Sequence, residues 1–494
     1  MLFFLRRIGV VYCRCEREGA PGYLFMESTT DEKQSWAPKI SAFLGRWGVE
    51  THGIAPIPVE QRVDPRTWQH FLLWFSANVN LPTMVIGAGG PVVFNMSFRD
   101  TAVVLLVSDA VASIIPAYFA LFGPRLGTRQ MVQARYSWGV RAVIIPSLFN
   151  VLSMTGYLVL NAIVAGQLLS TISSRLNPTA GIIIISLVSL VASFCGYRSL
   201  HWFQGVSWLP TLLGIIVMLA IGAPHLRAIT IPASTPPTVA AVLSFSAAVM
   251  ASVFSWCTAM ADYGVYHKAD TSSALIFTYV YTAMFSSSFM MHLLGAVFAC
   301  AATSGTAPQW WAAYNNGNNF GGLASAVLAP SRGFGKLMMA LMSLAISAPT
   351  ALTMYSFGMS LMNVIATAIC VPLAIAGQTR FYDVLVAIID IIGYWSASFA
   401  AIIFTEHIVF RDATFSSYDV SAWDNAQSLP PGIAAVVSFA LSFALIVPCM
   451  AQSFFVGPIA AALGGGDVGL VVGFFSTSFL YAGLRAVERR VFGR

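Results

Sequence analysis

Long apolar runs alternate with short polar segments along most of this chain. The runs are about 20 residues long, the length that an α-helix needs to cross the hydrocarbon core of a bilayer. They predict an all-α integral membrane protein with about 12 transmembrane helices. Numbered spans 1 to 12, they are residues 70–95, 101–122, 142–169, 179–197, 206–223, 239–261, 273–302, 335–358, 361–378, 382–404, 432–453 and 468–484.

Span 1 is interrupted in its middle. Ser76, Asn78, Asn80 and Pro82 lie within its apolar run, and three glycines and a second proline follow. In hydrocarbon every backbone N–H and C=O needs a partner, so a helix broken here must face protein or water. Transporters use such breaks to present main-chain groups to a substrate or a coupling ion. We therefore interpret Asn78 and Asn80 as hinge or coupling candidates.

Span 6 carries a similar interruption around Ser255 and Trp256, five spans after the first. Interrupted helices at corresponding positions of two halves predict an inverted five-plus-five repeat, with a binding site where the halves meet. The alternative is that the small residues of span 6 only permit close helix packing.

The composition agrees with a membrane protein. Of the 494 residues, 57% are hydrophobic and 9% are charged, and the mean hydropathy is +0.74. An ordinary soluble domain carries about 25% charged residues. The seven cysteines are scattered, so neither a disulfide framework nor a metal site is predicted. No enzyme motif is present either. We expect lipid and a small molecule as partners, and no nucleic acid.

The basic residues predict an orientation. Most of the 26 lysines and arginines lie in the terminal tails or in loops on the same side as the termini, which places both termini in the cytoplasm. The predicted parts are a cytoplasmic tail (1–66), a transmembrane transporter domain (67–484) and a second cytoplasmic tail (485–494). We expect residues 1–25 to be disordered, unless translation starts at Met26.

Three ionisable residues lie at membrane depth: Asp109 in span 2, His292 in span 7 and Asp390 in span 10. Such residues are costly in a membrane and are functional by default. We interpret Asp109 and Asp390 as candidates for ion coupling. The alternative is a carboxyl group held neutral by a serine or a backbone carbonyl of a neighbouring span.

Aromatic and amide side chains within the spans could bind a flat molecule. Tyr157 in span 3 and Trp256 in span 6 have faces that could sandwich a planar heterocycle, and amides can supply both donors and acceptors to its edge. The alternative for Tyr157 and Trp256 is that they only pack against other helices or lie at the membrane interface. Ordinary hydrogen bonds between helices are the alternative for the amides.

Ordered motifs along the chain resemble those of a known family. RWGVETHGIAPIPVEQR precedes span 1, LNAIVAGQLL lies in span 3, ADYGVYH follows span 6, and EHIVFR with YDVSAWDNAQSLPPGIAA lies between spans 10 and 11. From about Arg46 to the C terminus, the chain resembles the nucleobase–cation symporter-1 family, specifically its fungal purine–cytosine permease branch.

This resemblance implies a fold and an activity. The fold is the LeuT-type five-plus-five inverted repeat with two additional C-terminal helices. The activity is import of cytosine or purines across the plasma membrane by alternating access, with the proton rather than Na⁺ as coupling ion and with no cofactor. The resemblance leaves the oligomeric state open.

The resemblance also implies six substrate contacts. Tyr157 and Trp256 would sandwich the ring, and four polar residues would read its edge: Ser76, Asn161, Gln204 and Thr353. Three of the six depart from the family pattern, which has tryptophan, an acidic residue and an amide where this chain has Tyr157, Gln204 and Thr353. These departures leave two alternatives open, namely a vitamin cargo such as pyridoxine and a nutrient sensor that no longer transports.

Overall fold

The computed structural model describes residues 54–194, 196–229, 236–355 and 360–494. Every predicted span contains at least one helix within these ranges. The prediction for residues 1–25 lies outside the described residues. The helices of the spans are Gln69–Asn78 and Leu81–Val92 (span 1), Phe98–Ala112, Ile114–Phe119 and Phe122–Leu126 (span 2), Ile144–Ser170 (3), Pro178–Ser193 (4), Gly196–Arg227 (5), Val239–Phe254 (6), Ser273–Thr303 (7), Gly333–Ala345 and Ser347–Tyr355 (8), Ser360–Gly377 (9), Phe381–Thr405 (10), Ile433–Ile446 (11) and Gly469–Phe492 (12).

Shorter elements connect the spans. Two short helices lie between spans 2 and 3, two more between spans 7 and 8, and one helix and a small hairpin between spans 11 and 12. Their bounds are Gln130–Gln133, Arg135–Ala142, Pro308–Tyr314, Phe320–Leu328 and Pro458–Ala462, with strands Ala451–Gln452 and Phe455–Val456 pairing antiparallel.

The helices are long and apolar enough for a membrane. In the described part of the chain, eight helical stretches meet the length and hydropathy needed to cross, or nine when the two halves of span 1 are taken together. Spans 9 and 10 form one of these stretches, Val364–Phe410. Spans 4 and 11 are shorter, with 16 and 14 residues. Span 11 stops before the predicted 453 because Pro448, which has no N–H to donate, lies in a closing turn.

Glycines bring the second half of span 1 into backbone contact with span 7. A Cβ added at Gly87 would lie 1.9 Å from the carbonyl oxygen of His292, and one added at Gly295 would lie 1.7 Å from that of Met84. Small residues allow this close approach of helices in a membrane. This close packing favours movement of span 7 together with the second half of span 1.

The segment before span 1 packs on the rest of the protein. Arg62 donates to the carbonyl oxygen of Pro124 at 2.9 Å, and Asp64 pairs through its backbone with the stretch at His267. Burial opposes ionisation of Asp64, but hydrogen bonds from Arg66 outweigh it and lower the pKa of Asp64 to about 2. This segment is thus fixed to the loops that follow spans 2 and 6, and Asp64 stays charged at any cellular pH.

Candidate functional site

The break in span 1 is built by two asparagines. The first helix ends at Asn78 and the second begins at Leu81, with a bend of 53° between them. The carbonyl oxygen of the Asn80 side chain accepts from the backbone N–H of Thr83 at 2.9 Å, which caps the second helix. The amide of Asn78 donates to the carbonyl oxygen of Trp74 at 3.0 Å. Asn80 therefore satisfies a backbone group that the break exposes, whereas Asn78 bonds back to its own helix.

A narrow cavity of about 50 Å³ lies at this break. Six spans contribute to its wall. The lining residues are Ala77, Asn78, Asn80, Pro82, Thr83 and Ile86 from span 1, Tyr157, Leu160 and Asn161 from span 3, Ser252, Val253 and Trp256 from span 6, Ser288 and His292 from span 7, Pro349 and Thr353 from span 8, and Leu385 and Ile389 from span 10.

The interruption of span 6 places Trp256 in this wall. The α-helix of span 6 ends at Phe254 and continues as a 3₁₀ turn over Ser255–Thr258. The Trp256 ring also meets the Trp74 ring of span 1 edge to face, with centroids 5.4 Å apart. The two predicted interruptions, in spans 1 and 6, therefore meet at one place, as the inverted repeat requires.

Tyr157 and Trp256 are stacked directly on each other. Their ring centroids are 5.8 Å apart and their planes differ by 14°, while the Tyr157 hydroxyl hydrogen-bonds the Ser255 hydroxyl. A ring between them would need a separation of about 7 Å, twice the ~3.5 Å optimal carbon contact. In this conformation the pair fills its own gap, and a ligand between the rings would first have to part them.

Unpaired polar groups converge on the same cavity. The Ser288 hydroxyl and Nε2 of His292 are buried without a hydrogen-bond partner in the described structure. The two side chains lie one helical turn apart on span 7 and share a face. Asn161 is 8% exposed and bonds no other described side chain or backbone group. Buried polar groups of this kind are normally satisfied, so the cavity is suited to a polar ligand.

A buried pair of a histidine and a carboxyl group adjoins the cavity. Nδ1 of His292 lies 3.0 Å from both carboxylate oxygens of Asp109, and neither side chain is more than 1% exposed. The ring thereby joins a carboxylate on span 2 to the cavity wall. The sequence marked both residues as ionisable but gave no sign that they pair.

The structure does not bring all predicted contacts together. Tyr157, Asn161, Trp256 and Thr353 line the cavity, whereas Ser76 and Gln204 do not. The Ser76 hydroxyl donates to the backbone carbonyl of Gln204 in span 5 and lies 3.1 Å from the hydroxyl of Ser207. These two predicted contacts thus lie where spans 1 and 5 touch, in the described conformation.

Two other findings concern the remaining predictions. Asp390 lies away from this cavity and lines a second one. Sequence reasoning missed Ser288, although Ser286, Ser287 and Ser288 form a polar run one turn before His292. Among the described residues there is no cluster of three or more histidine, cysteine or acidic residues that could hold a metal ion.

Comparisons with known proteins agree on the type of protein. A family model described as "Permease for cytosine/purines, uracil, thiamine, allantoin" matches residues 56–473. The purine-cytosine permease fcyB of Emericella nidulans is 31% identical, over 92% of this chain and 92% of its own. The vitamin B6 transporter TPN1 of Saccharomyces cerevisiae is 26% identical, over 90% of this chain and 89% of its own.

A solved structure shares the fold. It is that of Mhp1, a nucleobase-cation-symport-1 family transporter, in a closed conformation with bromovinylhydantoin bound. The TM-score is 0.67 at 13% identity, and the match covers 90% of this chain and 96% of that one. This likeness confirms the predicted LeuT-type arrangement of five plus five helices with two more at the C-terminal end.

Proposed function

Since this chain belongs to the nucleobase–cation symporter-1 family, in its fungal purine–cytosine permease branch, we propose that it imports a nucleobase-like heterocycle with protons. The transport would be secondary and active, across the plasma membrane, by alternating access. The family resemblance in the sequence is thereby confirmed. Because the family consists of permeases, the chain is a transporter and not an enzyme.

The observation that carries this proposal is the chemistry of the cavity wall. Two aromatic residues, Tyr157 and Trp256, line the cavity together with the Asn161 amide, the Ser288 side chain and the His292 ring. A planar heterocycle offers apolar faces to the rings and donors and acceptors at its edge to the polar groups. An aliphatic amino acid would leave the flat aromatic faces without a matching partner.

The cavity wall is formed by two groups of helices, as alternating access requires. One side is formed by spans 1, 6 and 7, and the other mainly by spans 3, 8 and 10. We assign spans 1, 2, 6 and 7 to a moving bundle and spans 3, 4, 8 and 9 to a scaffold. The backbone contacts at Gly87 and Gly295 support this assignment, because they favour movement of spans 1 and 7 together.

We assign the coupled proton to the pair of Asp109 and His292. With a proton on each ring nitrogen, the imidazolium neutralises Asp109 and presents an Nε2–H donor to the cavity. Without the extra proton, Nε2 is an acceptor and the negative charge of Asp109 is uncompensated. Proton loading would thus change the hydrogen bond that the wall offers to the cargo, which links the two events. Na⁺ remains the less favoured coupling ion.

The test is uptake in a host that lacks its own nucleobase and vitamin carriers. We expect saturable uptake of labelled cytosine or hypoxanthine that collapses when the proton gradient is dissipated. Trp256→Ala should abolish it with normal surface expression, because the ring supplies a face of the site. The control is Trp202→Ala, since Trp202 in span 5 is 68% exposed. Unchanged uptake in Trp256→Ala would remove this residue from the site.

A vitamin cargo is the second candidate. The vitamin B6 transporter TPN1 is similar over 90% of this chain, and Tyr157, Gln204 and Thr353 depart from the purine–cytosine pattern. An excess of unlabelled pyridoxine that suppresses cytosine uptake, followed by direct uptake of labelled pyridoxine, would favour this cargo. Binding of either compound without accumulation would instead indicate a sensor.

A further inference from the structure

A second cavity lies between spans 1, 6 and 10 and the loop that joins spans 11 and 12, with about 970 Å³ of space that includes its open mouth. By the predicted orientation it faces the outside. Its lining residues are Val93, Phe94, Ala240, Ala241, Ser244, Tyr382, Asp383, Val386, Ala387, Asp390, Ala451, Gln452, Ser453 and Gly465. No lysine, arginine or histidine is among them.

One carboxylate behind this cavity is fully hydrogen-bonded. Asp467 accepts from the backbone N–H of Ala451 at 2.7 Å, from that of Gly469 at 2.9 Å, and from the Tyr394 hydroxyl. These bonds fix the position of the Asp467 carboxyl group, and it forms no ion pair with any described residue.

Asp390 lies beside this carboxyl group with little compensation. Its Oδ2 accepts from Nε2 of Gln452 at 2.8 Å, but its Oδ1 has no partner in the described structure. The residue is 3% exposed. A buried carboxylate with one hydrogen bond and a second carboxyl group nearby is costly unless it binds a cation or a proton.

Gln452 provides an independent sign of a ligand. Its Nε2 also lies 2.8 Å from the Tyr394 hydroxyl, which fixes the orientation of the amide. Its Oε1 is then left without a donor, although the residue is only 4% exposed. Asp390 and Gln452 are hydrogen-bonded to each other and both line the cavity. Each carries one buried oxygen acceptor without a partner in the described structure, Oδ1 of Asp390 and Oε1 of Gln452.

We propose that this outer cavity is a binding site for a monovalent cation, either a proton or Na⁺, held by Asp390 and Gln452. Oxygen atoms of carboxylates and amides are suitable ligands for a hard cation, and a carboxyl oxygen is the natural acceptor of a proton. The groups that face Asp390 are Asp467, Tyr394 and Gln452, with Asp383 and Tyr382 elsewhere on the cavity wall.

The cavity adjoins a hydrogen bond that joins span 10 to span 1. Tyr382 lines the same cavity and donates to the carbonyl oxygen of Val85 in span 1 at 3.1 Å. Its hydroxyl also lies 2.7 Å from that of Tyr314, in the connection between spans 7 and 8. Tyr382 thereby joins the wall of this cavity to span 1 and to the connection between spans 7 and 8.

The test measures cation binding to the purified protein and does not depend on transport. A negative result would therefore contradict this proposal without contradicting the proposed function. The full-length protein is purified, and its Tm is measured in NaCl and in choline chloride of equal ionic strength, in acidic and in mildly basic buffer. We expect a rise of a few degrees with Na⁺ if Na⁺ binds, or with acid alone if the proton binds. Asp390→Asn should lose the dependence, because the amide mimics the neutral acid.

Two further variants keep the test decisive. Asp270→Asn changes an exposed carboxylate between spans 6 and 7 that does not line this cavity, and it should respond like the unmodified protein. Gln452→Glu adds a carboxylate at the site and should strengthen the cation dependence, even if Asp390→Asn does not fold. The proposal is overturned if the unmodified protein responds to neither cation, if Asp390→Asn responds to the same extent, or if Gln452→Glu leaves the response unchanged.

Discussion

Asn161 and Thr353 face the same cavity with different hydrogen-bonding needs. The Thr353 hydroxyl already donates to the carbonyl oxygen of Pro349 at 2.9 Å, whereas the Asn161 amide bonds no described residue. We predict that Asn161→Ala raises the KM for the cargo strongly. Loss of a buried hydrogen bond costs about 1–3 kcal/mol, which is roughly five- to a hundredfold in affinity.

Thr353→Val is the matched comparison in the same uptake assay. Because its donor is engaged within its own helix, we expect a change in KM well below that of Asn161→Ala. Equal effects of the two substitutions would show that the cargo is not read by the amide in particular.

The fate of Ser76 and Gln204 shows what the sequence could and could not predict at this scale. Family position places a residue on a helix, and four of the six predicted contacts line one cavity: Tyr157, Asn161, Trp256 and Thr353. Which neighbour a polar side chain then meets depends on helix rotation and on contacts far apart in the chain. Ser76 and Gln204 are 128 residues apart, and nothing in the local pattern indicates their contact.

At the scale of elements, the backbone contact between spans 1 and 7 is the feature most sensitive to substitution. Gly87→Ala would put a Cβ 1.9 Å from a main-chain oxygen, and the main chain cannot move aside as a flexible side chain can. We predict a loss of stability of about 1–3 kcal/mol, typical of overpacking, and a larger loss of transport. The measurements are Tm of the purified protein and uptake per molecule at the surface.

The control is Gly205→Ala in span 5, where an added Cβ meets no atom within 4 Å. Alanine is the better helix former by about 1 kcal/mol, so this variant should be unchanged or slightly more stable. A Gly87→Ala protein with normal Tm and uptake would contradict the close packing of spans 1 and 7.

Most elements were predictable because hydrophobicity alone dictates a helix that crosses a membrane. The break at Asn78 and Asn80 was also predictable, since polar residues and proline interrupt an apolar run. The hairpin at Ala451–Val456 and the early end of span 11 were not, because Ala451, Phe455 and Val456 are as apolar as the helix before them. The pairing of Asp109 with His292 spans 183 residues and depends on tertiary packing.

For the whole molecule, a buried ion-pair network ties the end of span 10 to span 12. Arg485 bonds Glu406 at 3.0 Å and Glu488 at 2.9 Å, and the Tyr481 hydroxyl bonds Glu406 at 2.8 Å. The region predicted as a tail from residue 485 is helical to Phe492. Its first residue is thus part of the folded core.

We predict that Arg485→Ala destabilises the whole protein. Removing one partner of a buried ion pair costs about 3–5 kcal/mol, and the lower end applies here because Arg411 still lies 3.3 Å from Glu406. Thermal unfolding and surface abundance measure the effect. Arg490→Ala, at an exposed position on the same helix, should match the unmodified protein. Equal Tm values for the two variants would show that the network does not stabilise the protein.

The direct stacking of Tyr157 on Trp256 has a consequence for the proton gradient across the membrane. A carrier without cargo that kept a wet path through its centre would let protons leak inward and discharge the membrane. Rings 5.8 Å apart leave no layer of water between them in the described conformation. If transport is coupled to protons as proposed, an idle carrier would be closed at this pair, and the gradient would be consumed only when a flat cargo parts the rings.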